Sequence, residues 1–407
     1  MKDKKIYLGI GIVFLLIITI SFSYAYFSIK VSGNDNAKDV VVNAGTLSLV
    51  YTDGPEIKVE NIRPGKTITK EVTVKNTGTL DTNYNIIWQS LINEITNDEL
   101  VLSATCQRLN ASGTVEGTCG SISQSPISDT AIARKISIES GITHKYTFTI
   151  LFKETNANQN YNQGKKFSGV LGIEEYKVPN FATDSWATII ANVKAGYGSE
   201  YKVGSTKEVN LGTTYGTHTL RVANTSTPSE CSTIGFSQSA CGFVLEFADI
   251  ITTHVMNGTS RNTGGWPASS MYTFVNNDIY NTLPSEIKNA IIDTTVVSGH
   301  GSTSGETNFT STDKLYLLST AEVWTNGHSN DTSRDVTRQL DYYKNLGVTT
   351  SNYSGTIKKN GSITAWWWLR TANSSYTNTF YSVNNYGDWI NDVAISTRGV
   401  APAFRIG

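Results

Sequence analysis

Short runs that alternate apolar and polar residues fill the first half of the chain, which is typical of strands with one buried face. The clearest run is Thr67 to Lys75, where Ile68, Val72 and Val74 fall on one side. Turn sequences such as Arg63 to Lys66 separate the runs. Evenly spaced strands with Gly and Pro turns predict an all-β jelly roll or sandwich. The predicted strands are 46–51, 67–75, 83–88, 135–138, 146–152 and 167–173.

The pattern changes period after residues 178–180, where Pro179 ends the last strand and a helical repeat begins. Asp184 is the predicted cap of that helix and Gly196 its stop. A repeat over 270–283 and a capping box formed by Ser319 and Glu322 predict further helices. Because helices and strands do not alternate as βαβ units would, this half is predicted to be α+β. Its predicted strands are 208–211, 218–223, 242–247 and a buried strand at 314–318.

Three segments follow from these patterns: residues 1–27, a domain over 40–178 and a domain over 184–407. The first begins with Lys2, Lys4 and Lys5, followed by an apolar run over 6–20. Small residues at Ser23 and Ala25 match a signal-peptidase site, so a cleaved signal peptide is predicted. The alternative is an uncleaved membrane anchor, since 6–27 is just long enough to span a bilayer. Both interpretations predict an exported, extracellular or cell-surface protein.

Composition and cysteine spacing limit the partners. Charged residues are 16% of the chain and the net charge is −1. No dense Lys/Arg patch occurs beyond the first five residues, so nucleic acid is not a predicted partner. The four cysteines fall into two local pairs, Cys106 with Cys119 and Cys231 with Cys241. Export favours two disulfides, and the alternative is reduced thiols.

The C-terminal stretch places an apolar bracket at each end of a polar segment. The first bracket opens with three tryptophans, and the second is residues 399–406. If the tryptophans lie on a strand, Trp366 and Trp368 share one face and Trp367 takes the other. That second face is either core or a stacking surface for a ligand. Arg370 is expected to pair with a carboxylate or carbonyl. The predicted structural residues are Trp366, Trp368, Arg370 and Phe404.

The polar segment between the brackets, 373–392, is the predicted binding loop. Tyr and Trp side chains offer a large contact area at low entropic cost, and Asn, Ser and Asp add adaptable hydrogen bonds. The alternative is a solvated loop without a partner. The predicted ligand-binding residues are Asn373, Ser374, Tyr376, Tyr381, Asn384, Asn385, Tyr386, Trp389, Asn391 and Asp392.

The first half resembles the camelysin and TasA group of exported Gram-positive proteins. The resemblance rests on Asn43 to Leu47, Arg63 to Lys66 and Val74 to Asp81, and it covers roughly residues 1–178. It implies a jelly-roll domain at the cell surface or in a biofilm matrix. The metalloprotease activity attributed to camelysin is not carried over. His144 is the single histidine of this half and no H-E-x-x-H occurs, so no metal is predicted.

The second half resembles the DUF6273 domain over about residues 185–407. The matching motifs are Asp313 to Ser319 with Glu322, Leu340 to Tyr343, Trp366 to Arg370 and Gly399 to Phe404. The departures from the usual pattern are Thr371–Ala372 and Ala401. DUF6273 is similar in turn to the C-type-lectin-like fold of formylglycine-generating enzymes and of variable retroelement proteins. The resemblance implies a lectin-like α+β domain after the β-sandwich.

These features predict an exported, non-catalytic surface protein that binds an unidentified extracellular protein or glycan. The first alternative is a structural matrix or fibre subunit that self-assembles through its N-terminal domain, and an exported enzyme ranks third. The chain has no G-x-S-x-G motif, and its histidines lie in unrelated contexts. No cofactor is predicted, and membrane contact is expected only through residues 6–27 if they are not cleaved.

Overall fold

A computed structural model describes residues 27–33, 40–44, 47–55, 57–128, 131–325 and 334–407. The chain divides into two compact units between Lys177 and Val178, and each is described by itself. Residues 1–26, which contain almost all of the predicted targeting segment, lie outside the described residues. Across the described part of the chain, no helix combines the length and the apolar composition needed to cross a membrane.

The N-terminal unit contains two β-sheets that share one apolar core. Sheet order is β4-β1-β11-β6-β9 in one and β2-β3-β5-β10-β7-β8 in the other. Tyr84 and Leu171 enter the core from the first sheet, and Val72 and Phe148 enter it from the second. The strands are β1 (Phe27–Gly33), β2 (Val40–Ala44), β3 (Leu47–Asp53), β4 (Ile57–Ile62), β5 (Thr67–Asn76), β6 (Thr82–Asn93), β7 (Leu100–Leu109), β8 (Val115–Pro126), β9 (Ala133–Ile138), β10 (Thr143–Phe152) and β11 (Lys166–Glu175).

Strands β1, β2, β4, β7 and β8 were missing from the sequence-based prediction. β8 is rich in Ser and Gly, and nearly all of its side chains are exposed. It therefore lacks the alternation that reveals a half-buried strand. The Cys106–Cys119 disulfide joins β7 to β8, with Cα atoms 5.0 Å apart. The Cys231–Cys241 disulfide closes a loop in the C-terminal unit, with Cα atoms 5.9 Å apart.

The C-terminal unit has two main sheets and several short helices. A four-stranded sheet has the order β12-β13-β14-β24, and a five-stranded sheet has the order β15-β23-β20-β21-β22. Two hairpins, β16–β17 and β18–β19, complete the strands. The strands are β12 (Thr206–Asn210), β13 (Thr217–Asn224), β14 (Val244–Phe247), β15 (Thr252–Val255), β16 (Thr294–Ser298), β17 (Phe309–Asp313), β18 (Lys358–Asn360), β19 (Ile363–Ala365), β20 (Trp367–Ala372), β21 (Thr379–Val383), β22 (Trp389–Val393), β23 (Thr397–Val400) and β24 (Ala403–Arg405).

The helices of this unit are short, and the predicted helix over 270–283 contains a π turn, Val275–Ile279. Ser185 caps the first helix by accepting the Thr188 N–H at 3.1 Å. The predicted cap, Asp184, instead accepts the Tyr201 hydroxyl at 3.1 Å, so that assignment was wrong by one residue. The helices are α1 (Trp186–Lys194), α2 (Gly212–Tyr215), α3 (Ser270–Phe274), α4 (Tyr280–Thr282), α5 (Ser285–Ala290), α6 (Thr320–Val323) and α7 (Asp341–Asn345).

The predicted strand at 314–318 is buried but does not form a ladder. Leu315, Tyr316, Leu317 and Leu318 are all 0% exposed. Their sheet pairing is a single bridge between Tyr316 and Ala403. The apolar run therefore correctly predicted core, while its backbone carbonyls serve other groups, as the Arg370 contacts below show.

Candidate functional site

The ten predicted binding residues do not converge on one surface. The chain between β20 and β23 forms the β21–β22 hairpin instead of one irregular loop. β21 has five residues, so the two ends of the hairpin are about 17 Å apart. Asn373 and Tyr381 are each 4% exposed and offer a partner no surface. Of the others, Ser374 and Tyr376 precede β21, Asn384, Asn385 and Tyr386 follow it, and Trp389, Asn391 and Asp392 lie in β22.

Three loops meet at the end of the hairpin that carries Tyr376. They are residues 261–266, 299–305 and 373–378, and we call them the Tyr376 surface. Tyr376 is 54% exposed. The first two loops are joined by a hydroxyl contact between Thr263 and Thr303 at 3.2 Å. The Tyr376 surface therefore combines an exposed aromatic ring with neighbouring hydroxyl groups.

Asn262 holds the backbone of the Tyr376 surface in place. This residue is fully buried, and its Nδ2 lies 3.3, 2.8 and 3.0 Å from the carbonyl oxygens of Asn373, Tyr376 and Thr379. Its backbone N–H donates to the Thr377 carbonyl at 2.8 Å. One side chain and one amide thus fix the loop that presents Tyr376.

Gly301 explains how the second loop approaches so closely. A Cβ at this position would lie 2.4 Å from Oδ1 of Asn262, so a larger residue would displace the anchor. His300 next to it is half-buried, and its Nδ1 lies 2.6 Å from the Gly301 carbonyl.

The other end of the hairpin is a tight turn over residues 384–388. Oδ1 of Asn384 accepts the backbone N–H of Tyr386 at 2.9 Å and of Asp388 at 3.1 Å. Such a side-chain turn is a usual structural role for Asn. Tyr386 is 72% exposed, while Gly387 is buried with a φ of +93°. Asn384 therefore shapes this turn, and Tyr386 is its exposed aromatic group.

Strand β22 ends the five-stranded sheet, and its outer edge is partly occupied by carboxylates. The N–H of Trp389 donates to the Asp388 carboxylate at 2.9 Å. The N–H of Val393 donates to the Asp392 carboxylate at 2.8 Å. In the antiparallel ladder, alternate residues of an edge strand direct their backbone groups away from the partner strand. These two donors are consequently satisfied locally.

Asp392 also joins the hairpin to β23. Its carboxylate accepts from Nε of Arg398 at 2.5 Å and from Ser396 Oγ at 2.8 Å. The Arg398 guanidinium lies 4.5 Å from the centre of the Trp366 ring. Asp392 thus has a structural role, and Trp366 is a half-buried residue just before β20.

The tryptophans of β20 are core residues on both faces of the strand. Trp367 and Trp368 are both 0% exposed. Trp367 Nε1 donates to the Thr356 carbonyl at 3.1 Å, and Trp368 Nε1 donates to the His254 carbonyl at 3.0 Å. Since these two successive residues point to opposite sides of the sheet and both are buried, both faces of β20 are covered. The interpretation of Trp367 as a free stacking surface was therefore wrong.

Arg370 lies in the same strand and pairs with Glu322, and both are 0% exposed. The two N–O distances are 2.6 and 2.7 Å. Arg370 also donates to the Leu317 carbonyl at 2.8 Å and to Ser239 Oγ at 3.1 Å. Glu322 in turn accepts the Ser319 N–H at 2.9 Å and completes the capping box of α6. One carboxylate therefore caps a helix and neutralises a buried cation.

Two further buried carboxyl groups lie near this ion pair. Burial raises the pKa of Asp313 and of Asp335 to about 6. Asp313 accepts the Trp266 indole N–H at 2.8 Å. Asp335 accepts the Gly299 N–H at 3.0 Å and the Thr371 hydroxyl at 2.6 Å. Both carboxyls therefore change charge near neutral pH.

Residues 243–407 match the DUF6273 domain, a domain of unknown function. The match begins at β14 and includes the Tyr376 surface, the buried ion pair and the closing strand β24. Residues 3–96 match the camelysin metallo-endopeptidase family, which indicates an exported protein. No curated protein matches the chain. The predicted resemblances of the two halves are therefore confirmed.

With both cysteines of the N-terminal unit oxidised, the donor residues do not fit the metal that the camelysin name implies. Residues 3–96 contain neither His nor Cys. Among the described residues, one group of three His, Cys, Asp or Glu side chains has its ligand atoms within 4.8 Å of one another. It consists of Cys106, Cys119 and His144. Both cysteines are in a disulfide, and a disulfide has no thiolate to bind a metal.

The anchoring residues of the DUF6273 domain escaped the sequence-based prediction. Asn262 and Gly301 were not among the predicted site residues, although both belong to Gly- and Asn-rich segments. Such segments mark loops. They do not show which loops meet, because Asn262 and Asn373 are separated by 111 positions in the chain.

Proposed function

We propose that the protein is an exported binding protein whose Tyr376 surface contacts an extracellular protein or glycan. One observation carries this proposal: Tyr376 is more than half exposed on a loop whose backbone is held by the buried Asn262. A rigid backbone lowers the entropic cost of presenting an aromatic ring to a partner. A loop that serves only to connect β20 and β21 needs no such buried anchor.

The chemistry of the surface suits a partner rich in hydroxyl or amide groups. An aromatic ring offers an apolar face, and its neighbouring hydroxyls both donate and accept hydrogen bonds. The proposal includes a C-type-lectin-like fold for the C-terminal unit, which is supported by the similarity of its closing motif. It assigns no catalytic role, because residues 3–96 lack histidine and the chain has no H-E-x-x-H motif.

The matched pair of exposed tyrosines at opposite ends of the hairpin provides the test. The full chain would be applied to glycan and extracellular-protein arrays, and the best ligand would be titrated against Tyr376→Ala and Tyr386→Ala. We expect Tyr376→Ala to weaken binding about 30-fold, as for the loss of a contact worth about 2 kcal/mol. Tyr386→Ala should leave the affinity unchanged. Weaker binding in Tyr386→Ala alone would place the site at the 384–388 turn instead. Equal affinities of the wild-type protein and both variants would refute a site at either end of the hairpin.

A second function, a self-assembling matrix subunit, is favoured by the edge strand β8. This strand has twelve residues, ends its sheet and is almost entirely exposed. Exposed edge strands are templates for pairing with another chain. Light scattering and electron microscopy of the full chain would test it, with Ile122→Lys as the variant. Concentration-dependent fibres that disappear in the variant are expected for this function, and a persistent monomer would exclude it.

A further inference from the structure

The Cys106–Cys119 disulfide has a histidine beside it. Both sulfur atoms and a ring nitrogen of His144 lie within 4.8 Å of one another. Cys106 is 2% exposed and His144 is 4% exposed, whereas Cys119 is half-buried in the outer strand β8. Thiolate and imidazole are the preferred ligands of zinc in proteins. The group therefore contains three side chains of the types that bind zinc, although Cys106 and Cys119 cannot do so while they form a disulfide.

The strand register directs these three side chains toward one another. Cys106 lies opposite Tyr146 in the β7–β10 ladder, and His144 is two residues before Tyr146. Residues opposite each other share a face of the sheet, as do alternate residues of one strand. Cys106 and His144 are consequently diagonal neighbours on the same face.

Cys119 reaches the group through a β-bulge. Thr105 pairs with Ser121 and Gln107 pairs with Thr118, so Cys106 alone is opposite both Cys119 and Gly120. Gly120 has a φ of +96°, a conformation suited to glycine. Bulges redirect side chains and are frequent next to functional sites. Here the bulge lies at the disulfide itself.

The imidazole of His144 is already oriented. Its Nδ1 lies 2.8 Å from the Tyr84 hydroxyl, which lies 2.7 Å from the Tyr146 hydroxyl. When Nδ1 donates to Tyr84, Nε2 carries the free lone pair. Metal-binding histidines usually have such a partner on their second nitrogen, which fixes the ring and the tautomer.

We propose that reduction of the Cys106–Cys119 disulfide creates a Cys₂His binding site for Zn²⁺. A dithiol or phosphine reductant supplies the two electrons that break the S–S bond, and two protons from water convert the sulfurs to thiols. Zn²⁺ then binds both sulfurs as thiolates while the two protons return to solvent. The Cys106, Cys119 and His144 side chains supply three ligands, and water reaches the fourth position on the half-buried Cys119 side.

The required rearrangement is small. Zn–S bonds of about 2.3 Å in a tetrahedral site place the sulfurs about 3.8 Å apart and each sulfur about 3.5 Å from the nitrogen. Loss of the covalent bond lets the sulfurs separate toward that distance, and the ligand atoms start within 4.8 Å. Two thiolates neutralise the charge of the ion. The nearby cation Arg108 is paired with Glu116 at 2.7 Å and Glu139 at 2.6 Å.

Zinc titration of the full chain tests the proposal. The probe is Zn²⁺ alone, added to oxidised protein and to protein reduced with a phosphine, with bound metal measured by mass spectrometry under native conditions. Co²⁺ is a second probe, because thiolate ligands give it a charge-transfer absorption band. We expect one tightly bound ion per reduced chain, none per oxidised chain, and at least about tenfold weaker binding in His144→Gln, since loss of a supporting residue alone costs that much.

The second disulfide supplies the matched control. Cys231 and Cys241 form a pair of similar spacing, and in the described residues no group of three ligands includes them. The double variant Cys231→Ser/Cys241→Ser should retain the ion, and Cys106→Ser/Cys119→Ser should lose it. Circular dichroism establishes that each variant is folded. Equal zinc binding by reduced and oxidised wild-type protein, or unchanged affinity in folded His144→Gln, would overturn the proposal.

Discussion

The guanidinium of Arg370 and the carboxylate of Glu322 contact each other through two hydrogen bonds of 2.6 and 2.7 Å in the core of the C-terminal unit. Glu322→Gln would leave the buried charge of Arg370 uncompensated. We expect the free energy of unfolding of this unit to fall by about 3–5 kcal/mol. Tryptophan fluorescence during urea unfolding measures it, because seven of the eight tryptophans lie after residue 178.

The exposed pair of Lys314 and Asp293, at 2.8 Å, is the control for that measurement. Asp293→Asn removes an ion pair of similar length in contact with water, so its cost should stay below about 1 kcal/mol. An equal loss of unfolding free energy in Glu322→Gln and Asp293→Asn would show that burial does not increase the cost of breaking the Arg370 pair.

The stability of the C-terminal unit should rise when the pH falls from 7 to 5. Burial raises the pKa of Asp313 to about 6, above the value of about 3.9 in an unfolded chain. The folded state therefore takes up the proton first, and the resulting stability is lost as the pH rises through 6. The expected gain from pH 7 to 5 is about 1 kcal/mol for this carboxyl.

Asp313→Asn isolates that contribution, because an amide does not titrate and its oxygen can still accept the Trp266 indole N–H. Thermal unfolding at pH 5, 6 and 7 should show a smaller pH dependence in the variant. Asp335 responds in the same direction, as does His218, whose pKa is raised chiefly by its hydrogen bond to Asp249. Both are present in the two proteins and cancel in the difference. An unchanged pH dependence would contradict the assignment.

Removing the Asn262 side chain should loosen one end of the hairpin and not the other. Asn262→Ala leaves the buried carbonyls of the Tyr376 loop without their donor, at a cost of about 1–3 kcal/mol. Hydrogen exchange should accelerate over residues 373–379 and stay unchanged over 384–388. Asn384→Ala is the reciprocal control, with faster exchange expected only at the turn. A uniform acceleration in both variants would mean that the two ends are coupled.

Two glycines with positive φ should respond differently to alanine. Gly387 and Gly361 have φ values of +93° and +62°. A Cβ on Gly387 would lie 2.3 Å from the Tyr353 carbonyl oxygen, whereas nothing lies within 4 Å at Gly361. Gly361→Ala should cost about 1 kcal/mol for backbone strain alone, and Gly387→Ala about 1–3 kcal/mol more from overpacking. Urea unfolding of both variants measures the difference, and equal costs would argue against the tight turn.

Hydrophobic periodicity predicted much of the fold wherever a strand buries one face against the core and exposes the other. Strand β5 shows this: its alternation gave both the strand and its buried face, since alternate side chains from Ile68 onward are buried. Periodicity failed for the tryptophans of β20. Whether Trp367 is buried depends on segments that pack on the face of the sheet, such as the turn whose Thr356 carbonyl accepts its indole N–H. These are contacts between separate segments that no local pattern records.

The candidate site shows the same limit. Aromatic and Asn-rich composition predicted residues 373–392 as a binding loop but treated them as one surface. The β21–β22 pairing then separated Tyr376 from Tyr386 and buried Tyr381. The role of Glu322 as a helix cap was predictable from a spacing of three residues, whereas its pairing with Arg370 joins positions 48 apart.

The edge of β22 has a consequence for proteins that are crowded together. Two of its N–H groups, from Trp389 and Val393, are already bonded to the carboxylates of Asp388 and Asp392. A neighbouring copy that approached this edge would find these two donors already bonded, which discourages edge-to-edge aggregation. An exported protein can thus reach high local density without its hairpins fusing into shared sheets, and both ends of the hairpin stay accessible.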